Sequence, residues 1–142
     1  DIVGTDHAPH LLKEKEGGAL TATSGMPTHP YSLVSMLDLA DQGVLKLTDI
    51  VRLMAHNPAE LFSIHNRGYI RKGYKADLVL ISQCDSNYPN IAHSQFNFCG
   101  WNPLEGKTFG WKVDTTFVNG NIAYNNGEFA NRLYGEKVLF NR

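Results

Sequence analysis

The sequence predicts an α/β fold in two parts, and three observations predict it. Ile2 and Val3 are short, branched and apolar, as the end of a buried strand is, and a polar cluster follows them at once. Between residues 30 and 64 apolar side chains recur at helical spacing. From Arg67 onward the pattern changes to short apolar runs separated by glycine turns. The expected division is residues 1–66 as a strand end, a loop and helices, and residues 67–142 as a β-rich part with a tail.

The first ten residues, Asp1-Ile2-Val3-Gly4-Thr5-Asp6-His7-Ala8-Pro9-His10, concentrate chemistry as no later stretch does. A carboxylate, two imidazoles and a proline fall within five residues of a strand end. An Asp before a turn often only caps a loop, and a lone His is commonly a surface or core residue. Asp and His together, however, are the side chains that zinc binding and proton transfer use. Two histidines three apart in a loop can ligate one metal, although the proline between His7 and His10 favours their pointing apart.

Leu11 to Glu16 reads as a mixed-charge turn or short helix. Gly17 to Pro30 holds three glycines, two prolines and several Ser or Thr, the composition of a long loop. Loops of that length in compact domains are uncommon and often functional. Pro30 suits a first helical position. Leu33, Met36, Leu37 and Ala40 then form an apolar stripe, and Gly43 ends the helix. A second helix is expected from Thr48 as its cap to His56, and Asn57 caps a further turn running to Ile64. His56 and His65 have no partner at metal spacing.

In the second part, Tyr69-Ile70 is expected as a short strand, Lys72-Gly73 as a turn, and Ala76 to Ser82 as a strand containing a structural Asp77. Residues 83–107 read as irregular, with Phe96, Phe98, Trp101 and Pro103 pinning a loop to the body. Thr115–Val118 and Ile122–Tyr124 flank Asn119-Gly120, the strongest local hairpin signal, and Asn126-Gly127 repeats it before Glu128-Phe129. The last dozen residues are expected to dock as a tail.

Composition bounds the function. The chain has 142 residues, 42% apolar and 19% charged, which fits one ordinary globular domain. A net charge of −1 without a basic stripe argues against nucleic acid. No apolar run approaches the roughly 20 residues of a membrane span. With only Cys84 and Cys99 and no basic leader, the expectation is a reduced, cytoplasmic chain without a signal peptide.

Thr5-Asp6-His7-Ala8-Pro9-His10 resembles the signature that closes the last barrel strand of the dihydroorotases, in the metal-dependent amidohydrolase superfamily. The likeness continues in the family's order through Ser24-Gly25-Met26-Pro27, Asn57-Pro58-Ala59-Glu60-Leu61-Phe62, Gly73-Tyr74-Lys75-Ala76-Asp77-Leu78-Val79-Leu80 and Val118-Asn119-Gly120. The Asp-His-Ala-Pro-His segment is fairly specific to dihydroorotases, whereas the Lys-Ala-Asp-Leu-Val pattern is common to many amidohydrolases. The resemblance implies strand eight and the following helices of a (β/α)₈ TIM barrel, then part of a small β-sandwich. It implies that the chain is the C-terminal third of such a protein, lacking the His-x-His pair, the bridging lysine and the further metal histidines.

The activity so implied is the reversible interconversion of dihydroorotate and N-carbamoyl-aspartate in pyrimidine biosynthesis, with zinc, two per active site, as cofactor. Asp6 would be both zinc ligand and acid/base, and His10 would bind the substrate carboxylate. Pro27 and Thr28 would offer backbone groups to the substrate, and His7 is expected to support rather than ligate. The dihydroorotases often carry Gly where Thr28 stands and Glu-Thr where His29-Pro30 stands. The implied partners are the small-molecule substrate and the missing N-terminal barrel portion, with a homo-oligomer left open. The isolated piece is expected to be inactive. Two other readings remain: a related cyclic amidase of the allantoinase or dihydropyrimidinase type, and a non-catalytic dihydroorotase-like scaffold.

Overall fold

A computed structural model of the chain describes residues 1–89 and 98–141. It is α/β, with all described α-helices before residue 62 and an antiparallel sheet after residue 77. Helix α1 spans Ser32–Asp41 and is led in by a 3₁₀ turn, His29–Tyr31, that carries Pro30. Of its apolar stripe, Leu37 is the side chain fully buried. Gly43 (φ 73°) ends the helix in a Schellman motif: its N–H donates to Ala40 O (3.0 Å), and Val44 N–H donates to Leu39 O (3.0 Å).

The next helical run departs from expectation in an instructive way. Helix α2, Leu47–Val51, is capped by Lys46 rather than Thr48; the Lys46 N–H donates to the Asp49 carboxylate (3.1 Å). A π-helical stretch, Arg52–His56, then leads without a break into α3, Asn57–Leu61. Asn57 is therefore helical, not a cap, and its N–H reaches back five residues to Arg52 O. The cause is Pro58, which has no N–H and whose ring would strike the carbonyl of residue 54 in a regular α-helix. A widened turn just before it gives that ring room. The run ends at Leu61, not Ile64, because Ser63 turns left-handed (φ 53°) and Ile64 N–H folds back to Ala59 O (2.7 Å).

Two expected strands do not form. Ile2 and Val3 lie against the π stretch, where Val3 N–H donates to Leu53 O (3.2 Å), and have no strand neighbour among the described residues. Tyr69 and Ile70 belong to an irregular connection in which Tyr69 stacks on His56 (centroids 4.1 Å apart) and Ile70 is exposed. Extended residues without a ladder partner do not make a strand.

The sheet runs β1 (Leu78–Pro89), β2 (Thr108–Val118), β3 (Asn121–Asn125) and β4 (Glu128–Phe129), in that spatial order. Strand β1 thus continues seven residues beyond the expected Ser82, into a region read as irregular. Asn119 (φ 50°) and Gly120 (φ 82°) make the tight turn between β2 and β3, and Asn126 (φ 45°) and Gly127 (φ 100°) make the next. Both pairs meet the demand of a type I′ turn for two left-handed residues. Asp77 is structural, as expected: it pairs with the Arg67 guanidinium and accepts the Asn119 N–H (2.8 Å).

Helix α1 packs on β2. Trp111 Nε1 donates to Asp41 Oδ2 (2.7 Å), and Lys107 Nζ donates to Asp38 (2.6 Å). Among the described residues the buried apolar side chains are few, led by Leu37, Ile50, Phe109 and Tyr31. The tail does dock: Phe140 bridges Ile64, His65 N–H donates to Leu139 O (2.8 Å) and Asn141 N–H donates to Ser63 O (2.8 Å). Of the residues expected to pin the loop after β1, Trp101 does so, while Phe98 and Pro103 are exposed and Phe96 lies outside the described residues.

Candidate active site

The polar cluster at the start of the chain is assembled by two prolines. In Ala8-Pro9-His10 the His10 N–H donates to Ala8 O (3.0 Å), and in Met26-Pro27-Thr28 the Thr28 N–H donates to Met26 O (3.0 Å). Both bonds close around a proline, whose fixed φ suits the central position of an inverse γ-turn. These two small turns lie side by side, since His7 and Met26 form a parallel bridge and Ala8 N–H donates to Met26 O (3.2 Å).

The long loop is pinned here at several points. Thr28 Oγ1 donates to Thr5 O (2.9 Å), and His29 N–H donates to His7 Nδ1 (3.2 Å). Pro27 is fully buried. Gly25 (φ 104°) passes so close to Ala8 that a Cβ would lie 2.3 Å from the Ala8 Cβ, so only glycine fits. On the far side, the Lys15 ammonium donates to the carbonyls of Thr23 and Gly25, drawing the loop onto the 3₁₀ turn Leu12–Lys15.

Asp6 sits at the centre of this arrangement with φ 45°, in the left-handed region. That conformation costs an ordinary residue roughly 1–2 kcal/mol and Asp somewhat less. It turns the carboxylate outward: Asp6 is exposed, and no hydrogen bond or ion pair engages its side chain among the described residues. His10 is half-buried, its Nδ1 3.8 Å from Glu14 Oε2, and its carbonyl accepts the Trp101 Nε1–H (2.8 Å). His7 and His10 therefore face different partners, His29 and Glu14.

The four site residues expected from the sequence, Asp6, His10, Pro27 and Thr28, thus lie on two stretches that the fold brings into contact. Pro27 has only a carbonyl to offer a ligand, and the Thr28 N–H is already taken by Met26 O. Sequence reasoning missed His29, Lys15 and the close approach of Gly25 to Ala8. Their roles are long-range contacts within a loop, and no local pattern announces them. Among the described residues no three His, Cys, Asp or Glu side chains come together as a metal site.

The model of the amidohydrolase family matches residues 1–123. The dihydroorotase of Pyrococcus abyssi is 33% identical over 97% of this chain, and that of Halobacterium salinarum is 37% identical over 75% of it. The chain spans a third of the length of the first of these curated relatives and a quarter of the second (33% and 25%). Among solved structures, a D-hydantoinase (dihydropyrimidinase) from Thermus sp. covers 92% of the chain with a TM-score of 0.75 at 23% identity. A D-hydantoinase from Bacillus sp. AR9 covers 91% with a TM-score of 0.74 at 22% identity. The chain takes up 29% of each of those structures, and the likeness at this identity is one of fold. The family model covers most of the chain, and dihydroorotases above 30% identity run along nearly all of it: this chain belongs to the amidohydrolase family.

Proposed function

We propose that this chain is the closing part of a (β/α)₈ barrel whose intact protein is a dihydroorotase-type cyclic amide hydrolase. Residues 1–66 supply the last strand end, the active-site loop and helices, and residues 67–142 supply part of the adjoining β-sandwich and the tail. The observation that carries the reading is Asp6: an exposed carboxylate, unengaged among the described residues, on a left-handed residue flanked on both sides by bonds to the loop bearing Pro27 and Thr28. Leu47, Val51, Leu61 and Phe62 are about half exposed along the helical run. Side chains of that kind call for a cover, which the rest of the barrel would provide.

Among the described residues no zinc site is complete. Asp6 offers one ligand where zinc takes about four, so the proposal assigns the remainder to parts of the intact protein outside this chain. Within it, Asp6 accepts a hydrogen bond from the attacking water, takes its proton, and returns the proton to the amide nitrogen as the ring opens. The His10 imidazole binds the substrate carboxylate through a charge-assisted hydrogen bond. The loop that bears Pro27 and Thr28 lines the other side.

The test is ring opening by the intact protein with zinc supplied, on dihydroorotate and on dihydrouracil. The expected result is turnover of dihydroorotate, lowered about 10²–10⁴-fold by Asp6→Ala. Preference for dihydrouracil or a hydantoin would move the assignment to a dihydropyrimidinase-type amidase. No turnover of any cyclic amide would leave the scaffold reading in its place.

A further inference from the structure

We infer that the Thr28 side chain is a positioning residue for Asp6, holding the backbone of the carboxylate-bearing turn from across the active-site loop. The inference rests on the proposed role of Asp6 and adds to it. Asp6 is left-handed (φ 45°), and a left-handed non-glycine persists where its neighbours fix the chain on either side. On the upstream side, Thr28 Oγ1–H donates to the carbonyl of Thr5 (2.9 Å), a part-buried bond across 23 residues. That carbonyl belongs to the peptide unit joining Thr5 to Asp6, so the bond sets the plane from which Asp6 starts. On the downstream side, His7 Nδ1 accepts the His29 N–H (3.2 Å) and Ala8 N–H donates to Met26 O (3.2 Å).

The grip can transmit force because its loop half is itself anchored. Pro27 is fully buried and Gly25 lies hard against Ala8, so residues 25–29 have little freedom to drift from residues 5–8. Thr28 thus acts through its hydroxyl on Asp6, separately from any contact its backbone makes with substrate. A glycine at position 28 has no hydroxyl and cannot make this bond. In this chain the loop and the carboxylate are tied together by a side chain, so loop position and carboxylate position move as one.

The experiment compares Thr28→Val, which keeps the shape but removes the donor, with Thr28→Ser, which keeps the donor, both in the intact protein. The first readout does not need activity: hydrogen exchange at the Ala8 and His29 amides. Thr28→Val is expected to speed exchange there about tenfold, with Thr28→Ser close to wild type and the melting temperature of both variants within a few degrees. The second readout is ring opening of dihydroorotate. Thr28→Val is expected to lower kcat about 10–100-fold with KM changed less than about threefold, and Thr28→Ser to restore most of kcat.

Unchanged exchange in Thr28→Val overturns the inference, and so does faster exchange with kcat untouched. A fall in KM-limited binding alone, with kcat preserved, also overturns it. Should Thr28→Val fail to fold, Thr28→Ala and Thr28→Ser are read in the same two assays. If the wild-type protein opens no cyclic amide, the dihydroorotase reading fails by itself, and the exchange measurement still decides whether Thr28 holds the turn.

Discussion

Two regions of the molecule use left-handed residues for opposite ends. In the β2–β3–β4 hairpins, Asn119-Gly120 and Asn126-Gly127 take positive φ as pairs, and the turn is complete within four residues of sequence. At the candidate site Asp6 takes positive φ alone, and what holds it comes from residues 22 and 23 positions away. The first kind of turn is self-sufficient: its residues prefer the conformation, and the strand ladder on either side rewards it. The second exists only when a distant loop is in place. Tertiary support is what lets a reactive side chain occupy a conformation that its own stretch of sequence does not select.

The contrast can be broken at several points. The largest effect is expected from Asp6→Ala, which lowers turnover about 10²–10⁴-fold, measured as ring opening by the intact protein. Next is Gly25→Ala. Its Cβ would meet the Ala8 Cβ at 2.3 Å and the Ala8 carbonyl oxygen at 3.1 Å, on a backbone with φ 104°. A destabilisation of about 2–3 kcal/mol in a denaturant titration is expected, with the loop losing its grip on residues 5–8.

Asp77→Ala probes the other region. It strips the Arg67 guanidinium and the Asn119 N–H of one shared acceptor at the hairpin turn, and a loss of about 1–2 kcal/mol is expected. Gly120→Ala sharpens the comparison with Gly25: φ is likewise positive at 82°, but the nearest atom to a new Cβ is Ala76 Cβ at 4.0 Å. Only the backbone preference is lost, at about 1 kcal/mol. Equal losses at Gly25 and Gly120 would mean that the loop's close approach carries no weight.

The smallest effect concerns pH. The Lys46 N–H, and then the Arg52 guanidinium, hold the Asp49 carboxyl below its ordinary value of 3.8. A carboxyl with a lowered folded pKa contributes stability that is present above its unfolded value and lost as pH falls through the folded one. Asp49→Asn should therefore flatten the decline of the urea midpoint between about pH 5 and pH 3 relative to wild type. An identical decline in both proteins would place the acid sensitivity elsewhere.

The same contrast explains what was legible in the sequence. The hairpins were, because Asn-Gly encodes a conformation locally. Helix α1 was as well, because Leu37 and its neighbours repeat at one period and Gly43 ends them in a known way. The strand at Tyr69-Ile70 was misread, and Ile2-Val3 has no ladder partner among the described residues, because a strand is a relation between two stretches and apolar branched residues do not say what lies beside them. Asp6, His10, Pro27 and Thr28 were proposed through motif resemblance. Their mutual arrangement was not, since a bond such as Thr28 Oγ1 to Thr5 O leaves no periodic trace. Asn57 was read as the cap of a new turn, although the chain met Pro58 by widening the turn before it and ran on.

That widened turn changes the angular phase of the helix. Ile50 and Ala59 are both buried and lie nine residues apart. At roughly 100° per residue, nine steps of an unbroken α-helix would set them about 180° apart, on opposite sides. If the π stretch absorbs one residue, the effective spacing is eight and the separation roughly 80°. The two ends of the run then serve the same side of the protein. An added residue at this place works as a rotation, aiming α3 inward while the chain keeps its direction.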